Sequence, residues 1–310
     1  MKTIVHSLIA AIAISFCSTH TNSLMAQEPP PPNQPQAIQP VGQDQPITMQ
    51  TFYDELSPYG QWVNYGDYGY VFIPNAGPGF IPYATAGHWA YTEQFGWTWA
   101  SDYPWGWAAF HYGRWNYDRM YGWFWIPDLQ WGPAWVVWRN SPQYYGWAPL
   151  PFGVNLSMDM DYGYGIPADH WCFVPNQFIC DPFISRYYLP RINNDIFMMH
   201  TAIINRMYFD NDRRYNYFAG PERFEVERYH RGPIEPVEIR FNSDRNHAYG
   251  HNEIGMYRPE GRHDDRHDDR RNAPAPIRPV RMDDVPRRDA NHQHDDHRYD
   301  NHNEHREEHR

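Results

Sequence analysis

Carboxylates are the side chains of this sequence whose types and spacing come closest to a catalytic pattern. Two aspartate pairs lie two residues apart and two further acidic residues lie in the aromatic part of the chain: Asp159 with Asp161, Asp210 with Asp212, Glu93 and Asp102. A glycoside hydrolase needs two carboxylates facing each other across a cleft, and the spacing places no pair in that way. Phosphate loops, nucleophile elbows, zinc-protease helices and dinucleotide fingerprints do not occur. We therefore predict a protein that is not an enzyme and uses no cofactor.

Histidines near the C-terminus offer a second chemistry, metal binding. Residues 261–310 are rich in His, Arg, Asp and Glu and contain no cysteine. Imidazoles such as those of His292, His294 and His297 can ligate zinc, nickel or copper, although their spacing implies no fixed geometry. A segment with so much charge cannot bury enough apolar surface to offset its ordering entropy. We predict a disordered tail, either purely solvated or also binding a transition metal weakly.

Tryptophan rings could bind a ligand by stacking. All 14 tryptophans lie between Trp62 and Trp171. Most are expected in the core, because indoles bury a large area in a small sheet. Aromatic stripes on both faces of one sheet cannot both be interior, however, so some rings are expected at the surface. Trp105, Trp107 and Trp131 lie in the longer connections and are the candidate exposed platforms for a sugar, a peptide or another protein.

Two cysteines follow the N-terminal leader, Cys172 and Cys180, and they do not form a CxxC redox motif. In an oxidising compartment, two cysteines separated by a short loop favour a structural disulfide. Free buried thiols are the alternative.

A repeated aromatic unit must position these side chains. Residues 87–99 and 113–125 read GHWAYTEQFGWTW and GRWNYDRMYGWFW, so the glycines and most aromatic residues recur 26 positions apart. A weaker copy starts at Gly60 and a degenerate one at Trp138. Internal repetition of this period indicates an architecture built from one supersecondary unit.

Each unit is predicted to be a β-hairpin. Side chains two residues apart share one face of a strand, so Trp89 and Tyr91 point together, as do Trp97 and Trp99. The four intervening residues have hairpin-loop length, and the next glycine can adopt the positive φ that such loops often need. One hairpin cannot bury its own aromatic face, whereas several together can. The predicted fold is mainly β, with repeated antiparallel hairpins forming a meander sheet or a small barrel, a small α+β C-terminal piece and disordered termini.

Composition divides the chain into five parts. They are a signal peptide, a Pro/Gln-rich linker, a Trp-rich β-hairpin repeat domain, a mixed α+β extension and the His/Arg/Asp-rich tail, at residues 1–26, 27–51, 52–153, 154–260 and 261–310. In the extension, Phe197–Phe209 is apolar enough for a buried strand. A short helix is predicted to start near Pro221, and a strand over Val237–Phe241.

The leader and the charge limit location and partners. Residues 1–26 predict export across the inner membrane, to the periplasm, the cell surface or the medium; a lipid anchor at Cys17 is disfavoured because bulky Phe16 precedes it. No stretch is long enough for a transmembrane span. The formal net charge of −11 argues against nucleic acid or an anionic membrane as partner. An envelope protein or a polysaccharide is therefore the expected partner.

Several spaced elements resemble a family of exported bacterial proteins with Tyr/Trp-rich repeats. The elements are Tyr-Gly-x-Trp, Gly-Trp-x-Trp, Gly-Trp-Ala-Pro-Leu, Phe-Val-Pro and Ile-Asn-Asn at residues 59–62, 96–99, 146–150, 173–175 and 192–194. The resemblance covers roughly residues 52–260. The family has no known function, so the resemblance implies export and domain limits but no reaction, ligand or catalytic residue.

These observations favour a non-enzymatic envelope or secreted protein whose repeat domain is a structural or interaction module. The first alternative is a glycan-binding or glycan-processing protein that uses exposed aromatic platforms. The second is metal binding by the His-rich tail.

Overall fold

The structure is a computed structural model that describes residues 47–154, 165–210, 215–244, 252–259, 276 and 278–287. The expected signal peptide and most of the linker and tail lie outside these residues. The described residues belong to one compact unit. In the described parts, α-helices α1 to α4 span Met49–Leu56, Gly106–Ala109, Asn194–Met199 and Arg223–His230. None of the helices in these ranges is both long and apolar enough to cross a membrane.

Strands dominate the described residues, which confirms the mainly-β prediction. Strands β1 to β7 span Gly60–Asn64, Tyr70–Pro74, Gly87–Thr92, Gly96–Ser101, Tyr112–Asp118, Gly122–Trp131 and Val136–Asn140. Strands β8 to β14 span Tyr144–Pro149, Cys172–Pro175, Ala202–Ile203, Met207–Asp210, Tyr215–Phe218, Glu238–Asn242 and Glu253–Tyr257. One four-stranded sheet has the order β1-β2-β6-β5 and another the order β10-β7-β8-β9, while β3-β4, β11-β12 and the parallel pair β13-β14 form two-stranded sheets.

The two clear sequence repeats fold as matching hairpins. Trp89 lies opposite Trp99 in β3–β4, and Trp115 lies opposite Trp125 in β5–β6. Three residues separate the last paired positions of each hairpin, and the glycine that ends each loop has a positive φ of 74° at Gly96 and 79° at Gly122. The weaker copies also place their aromatic residues in register, as Trp62 opposite Phe72 and Trp138 opposite Trp147.

A glycine in each hairpin leaves room for an aromatic ring of the partner strand. A Cβ added to Gly87 would lie 2.7 Å from the Trp99 ring and 2.5 Å from the Ala100 carbonyl oxygen. A Cβ on Gly60 would lie 2.6 Å from the Phe72 ring. Real Cβ atoms do not make such contacts, so the first glycine of the repeat is required by the ring twelve residues later.

The hairpins are divided among separate sheets that share one core. Strand β2 pairs with β6 through Phe72 and Trp125, so the first and third hairpins form one sheet, whereas β3–β4 stays a separate pair. A backbone hydrogen bond of 3.1 Å from Trp99 N–H to the Pro133 carbonyl ties the separate pair to the connection that follows β6. In this arrangement all 14 tryptophans are buried, and none is more than 7% exposed.

A segment of the expected disordered tail covers the other face of the first sheet. Val63, Val71, Phe124 and Ile126 form a second apolar cluster there, and Val285 packs against it. Val280 makes a parallel bridge with Val63 and donates its backbone N–H to the Trp62 carbonyl at 2.8 Å. Disorder therefore does not extend to residues 278–287.

The extension contains short helices and strands, as expected, but one of its elements differs. The prediction of a single buried strand over Phe197–Phe209 is wrong. Helix α3 occupies the first part of that range, and Met207, Tyr208 and Phe209 of β11 are exposed. Apolar character alone does not distinguish a buried strand from a helix. Helix α4 and strand β13 lie where the sequence predicts a helix and a strand.

Replacing the ring-facing glycine of the first clear repeat should destabilise the fold. We expect Gly87→Ala to lower the free energy of unfolding by about 1–3 kcal/mol, because the new methyl group overlaps the Trp99 ring and the Ala100 carbonyl. Urea unfolding measures this. Gly79→Ala is the matched control, since its Cβ meets nothing within 4 Å and Gly79 has no positive φ. It should be neutral or stabilising by up to about 1 kcal/mol. Equal losses in both variants would contradict the ring–glycine contact.

His111 should make the stability depend on pH. It is fully buried, which lowers its pKa to about 4, and hydrogen bonds to the Gly132 and Trp99 backbones oppose this shift only in part. Because the folded pKa lies below that of the unfolded chain, the stabilisation is complete above pH ~6.5 and is lost as the pH falls towards 4. The free energy of unfolding, measured with urea, should be lower at about pH 4.5 than at about pH 7.5, and this residue should account for about 2–3 kcal/mol of the difference.

The contribution of His111 is isolated by comparison with His111→Gln, whose unfolding free energy should depend less on pH than that of the parent chain. His200→Gln, at an exposed position, is the control and should keep the parental dependence. If the stability of His111→Gln depended on pH as strongly as that of the parent chain, groups other than His111 would be the cause.

Candidate functional site

The three tryptophans expected at the surface are buried. Trp105, Trp107 and Trp131 are 3%, 6% and 5% exposed, so their prediction as exposed platforms is wrong. Trp105 precedes α2 and Trp107 lies within it, whereas Trp131 ends β6 instead of lying in a connection. Short helix α2 folds the connection back onto the core, which covers two of the rings.

The groups that cover these rings come from distant parts of the chain. Phe52 of α1 and Tyr257 of β14 pack against Trp107, with ring centroids 5.9 Å and 5.5 Å away. The ring of Phe95, in the loop between β3 and β4, packs against Trp131 at 4.8 Å. The two aromatic stripes of each hairpin share one face, because Trp89 lies opposite Trp99 and Trp115 opposite Trp125, and that face packs into the core.

The expected disulfide between Cys172 and Cys180 is not present, and both residues are free cysteines. Cys172 lies in β9 and is buried, whereas Cys180 is only half-buried. Burial raises the pKa of both thiols, to about 11 for Cys180. Each side chain is therefore a neutral thiol at neutral pH, which matches the alternative of free thiols.

Of the acidic residues proposed from the sequence, the structure describes Glu93, Asp102 and Asp210. Glu93 forms an ion pair with the Arg223 guanidinium. Asp210 is buried at the end of β11. Asp159, Asp161, Asp212 and the tail residues His292, His294 and His297 lie outside the described residues. In the described ranges, no three His, Cys, Asp or Glu side chains are grouped so that they could hold a metal ion.

Exposed apolar side chains are concentrated elsewhere, in the extension. Seven of the eleven large hydrophobic residues that are exposed in the described parts lie between residues 183 and 209: Phe183, Ile192, Ile196, Met199, Met207, Tyr208 and Phe209. Three of them, Ile192, Ile196 and Met199, are 79%, 50% and 75% exposed. Their spacing of four and three residues places them on one side of α3 and its preceding turn. We call these three residues the α3 face.

The opposite side of α3 is polar where it is most deeply buried. Asn194 is 1% exposed, and its side-chain amide donates hydrogen bonds to the carbonyls of Ala168 at 2.7 Å and Trp171 at 2.8 Å. Amphipathic helices ordinarily turn apolar residues inward and polar residues to water. On α3 the buried Asn194 and the partly buried Phe197 and Met198 face the core, while Ile196 and Met199 point outward.

A buried arginine fixes the C-terminal end of the same helix. Arg139 of β7 donates to the carbonyls of Met198 at 2.9 Å and Thr201 at 2.8 Å, and to the Thr201 hydroxyl at 2.9 Å. A cation at this position satisfies terminal carbonyls and interacts favourably with the helix dipole. The Phe197 ring packs on Phe173 of β9 at 5.5 Å. Helix α3 is therefore held at its N-terminal end by Asn194, at its C-terminal end by Arg139, and against β9 by Phe197.

The charge around the α3 face is low. Asp195 and His200 are the exposed titratable residues in and beside the helix, and Arg191 in the preceding turn is half-buried. Interfaces between proteins deplete charged residues at their centre and enrich Met and aromatic side chains. An apolar, weakly charged and rigidly held face can bind a complementary apolar surface.

Strand β11 is a second exposed apolar element. Met207, Tyr208 and Phe209 are all exposed, and the strand pairs with β12 alone. The Tyr208 ring packs on Tyr217 of β12 at 5.3 Å. An edge strand with open apolar side chains can pair with another chain. Strand β11 therefore adds to the exposed apolar surface of the extension.

Sequence reasoning missed the α3 face, although its spacing was visible. Ile192, Ile196 and Met199 follow a helical period, but the surrounding apolar residues obscured it. The burial of Asn194 could not be inferred, because its partners lie more than twenty residues upstream.

Comparison with known proteins concerns the repeat region alone. A family of unknown function (DUF6600) matches residues 53–154, from within α1 to just after β8. The resemblance stated from the sequence is confirmed for a family of unknown function over this part of the chain. The match ends before β9 and α3, so the α3 face lies outside it. No curated protein and no solved structure is significantly similar to the chain.

Proposed function

We propose that this chain is a non-enzymatic, exported protein of the cell envelope or the medium that binds another protein through the α3 face. The exposed apolar face of α3 carries the proposal: Ile192, Ile196 and Met199 are exposed, while Asn194 holds the helix from its buried side. The aromatic core of the repeat region acts as the rigid support. The leader at residues 1–26 supports export, and the absence of a catalytic motif in the sequence supports a binding role.

The energetics suit a protein interface. Full burial of an Ile or Met side chain contributes about 1.5–3 kcal/mol, so three such residues could supply much of the free energy of a moderate complex. The backbone of α3 is already fixed by Asn194 and Arg139, which limits the ordering entropy that binding must offset. A partner with an apolar groove or flat patch would fit this face.

A protein partner is favoured over a polysaccharide. The glycan alternative rested on exposed tryptophan rings, and all 14 are buried. The α3 face is aliphatic and offers no aromatic platform for a sugar ring. Metal binding by His292, His294 and His297 remains a separate proposal that does not bear on the α3 face.

Site-specific photocrosslinking in the producing cells tests the proposal. A photoreactive phenylalanine analogue at Ile196 should give a discrete adduct of higher mass in the envelope or secreted fraction. The same analogue at Met120, an exposed residue of the β5–β6 loop, is the matched control and should give none. Mass spectrometry of the adduct identifies the partner. Equal labelling at both positions, or none at Ile196, would refute the assignment of the α3 face.

A triple variant tests the same face by affinity. Ile192→Gln, Ile196→Gln and Met199→Gln together should weaken binding to the crosslinked partner by at least about tenfold, which corresponds to 1.4 kcal/mol. The free energy of unfolding, measured with urea, should change by less than about 0.5 kcal/mol per substitution, because the side chains are exposed. Met120→Gln with Leu129→Gln is the control for exposed apolar residues elsewhere. Unchanged affinity in the triple variant would contradict the proposal.

A further inference from the structure

A thiol and an imidazole meet at the surface of the extension, outside the α3 face. The Cys180 Sγ lies 3.6 Å from the His230 Nδ1. The same Nδ1 atom lies 3.4 Å from the backbone carbonyl oxygen of Gln177. One imidazole nitrogen thus lies close to both a sulfur and an oxygen atom, which are all potential metal ligands. Cys180 is half-buried and His230 is exposed, so solvent reaches the group.

Both side chains are held by fixed elements. Cys180 follows the turn Asn176–Phe178, in which buried Asn176 donates to the Ser141 carbonyl at 2.9 Å. His230 is the last residue of α4, and Val226 of that helix is fully buried. Helix α4 packs against the turn. The backbone positions that carry the thiol and the imidazole are therefore held by packed elements of the fold.

The distances match the edges of a metal coordination tetrahedron. With Zn–S near 2.3 Å and Zn–N near 2.0–2.1 Å, sulfur and nitrogen ligands on one zinc ion stand about 3.6 Å apart. Nitrogen and oxygen ligands on the same ion stand about 3.4 Å apart. The separations of Nδ1 from Sγ and from the carbonyl oxygen, 3.6 Å and 3.4 Å, agree with both values.

The geometry points to a surface site for a thiophilic divalent metal ion, Zn²⁺, formed by Cys180, His230 and the Gln177 carbonyl. The fourth position faces solvent and is open to water or an external ligand. In the chain as it stands, Nδ1 and Sγ instead make a weak hydrogen-bonded contact. The site involves only two side chains, which explains why it is not part of a larger metal-ligating cluster.

The local chemistry is compatible with a cation. Asp181 is adjacent to Cys180 and contributes to raising the pKa of the thiol, which burial raises most. Its charge favours a bound cation in the same way. On binding, a Zn–S bond forms as the S–H bond breaks, the proton passes to solvent, and no electron is transferred. The formal net charge of −11 attracts cations to the chain as a whole.

Titration of the reduced full chain with Co²⁺, a spectroscopic substitute for Zn²⁺, tests the site. Thiolate coordination gives a near-ultraviolet charge-transfer band that histidine and carboxylate ligands of the tail cannot give. We expect this band to appear, to disappear on addition of Zn²⁺, and to weaken as the pH falls because the thiol must lose a proton. Absence of the band at saturating Co²⁺ would overturn the proposal.

Three variants assign the ligands. Cys180→Ser should abolish the band, and His230→Gln should weaken Co²⁺ binding by at least about tenfold. Cys172→Ala removes the buried thiol of β9 and should leave the band unchanged. Urea unfolding confirms that each variant is folded, and the exposed position of His230 makes His230→Gln the safest in this respect. A band that survives Cys180→Ser, or that is lost in Cys172→Ala, would show that the ligand is elsewhere.

Discussion

The approach of an aromatic ring to a glycine backbone is the contact on which the repeat region depends. In the first hairpin the ring of Phe72 lies over Gly60, and in the second the ring of Trp99 lies over Gly87. A side chain on the glycine would push the ring away and separate the strands. Glycine in a strand ordinarily weakens it, but a ring packed over the glycine restores buried area. The same spacing therefore recurs along the chain because it is a steric requirement.

Two other buried indoles use their N–H group to bind distant segments of the chain. The indole N–H of Trp147 donates to the Tyr83 carbonyl at 2.7 Å, and that of Trp97 donates to the Pro221 carbonyl at 3.0 Å. These bonds connect a hairpin to segments that are distant in sequence. An indole thus contributes area to the core and fixes the position of an outer segment through one directed bond. The extension is anchored to the hairpins partly by this means.

Local features of the fold were predictable from the sequence, whereas its packing was not. The opposition of Trp89 and Trp99 follows from loop length and strand period, which involve only neighbouring residues. The burial of Trp107 depends on Phe52 and Tyr257, which are 55 positions upstream and 150 downstream. The same applies to residues 278–287, whose composition predicts disorder although Val280 and Val285 pack on the first sheet.

The candidate site was less predictable than the fold, for a related reason. The spacing of Ile192, Ile196 and Met199 indicates a helix, but it also indicates that these residues face the core. The hydrogen bonds of Asn194 and Arg139, together with the packing of Phe197 and Met198 on the core, set the opposite orientation. Two buried polar anchors outweigh the usual preference for apolar burial because leaving either group unbonded would cost more than exposing an aliphatic side chain.

The two apolar surfaces outside the aromatic core differ in whether the chain covers them, and this difference supports the proposal that the α3 face binds a partner. The outer face of the first sheet, with Val63 and Ile126, is covered by the chain's own residues 278–287. The α3 face is equally apolar, but in the described parts of the chain it remains open. Turning this face into the core would break the hydrogen bonds of Asn194 and Arg139 that hold the helix. An apolar surface that the chain fixes outward by buried polar bonds is a surface whose stability does not depend on its own burial, which is the condition for binding and releasing a partner without unfolding.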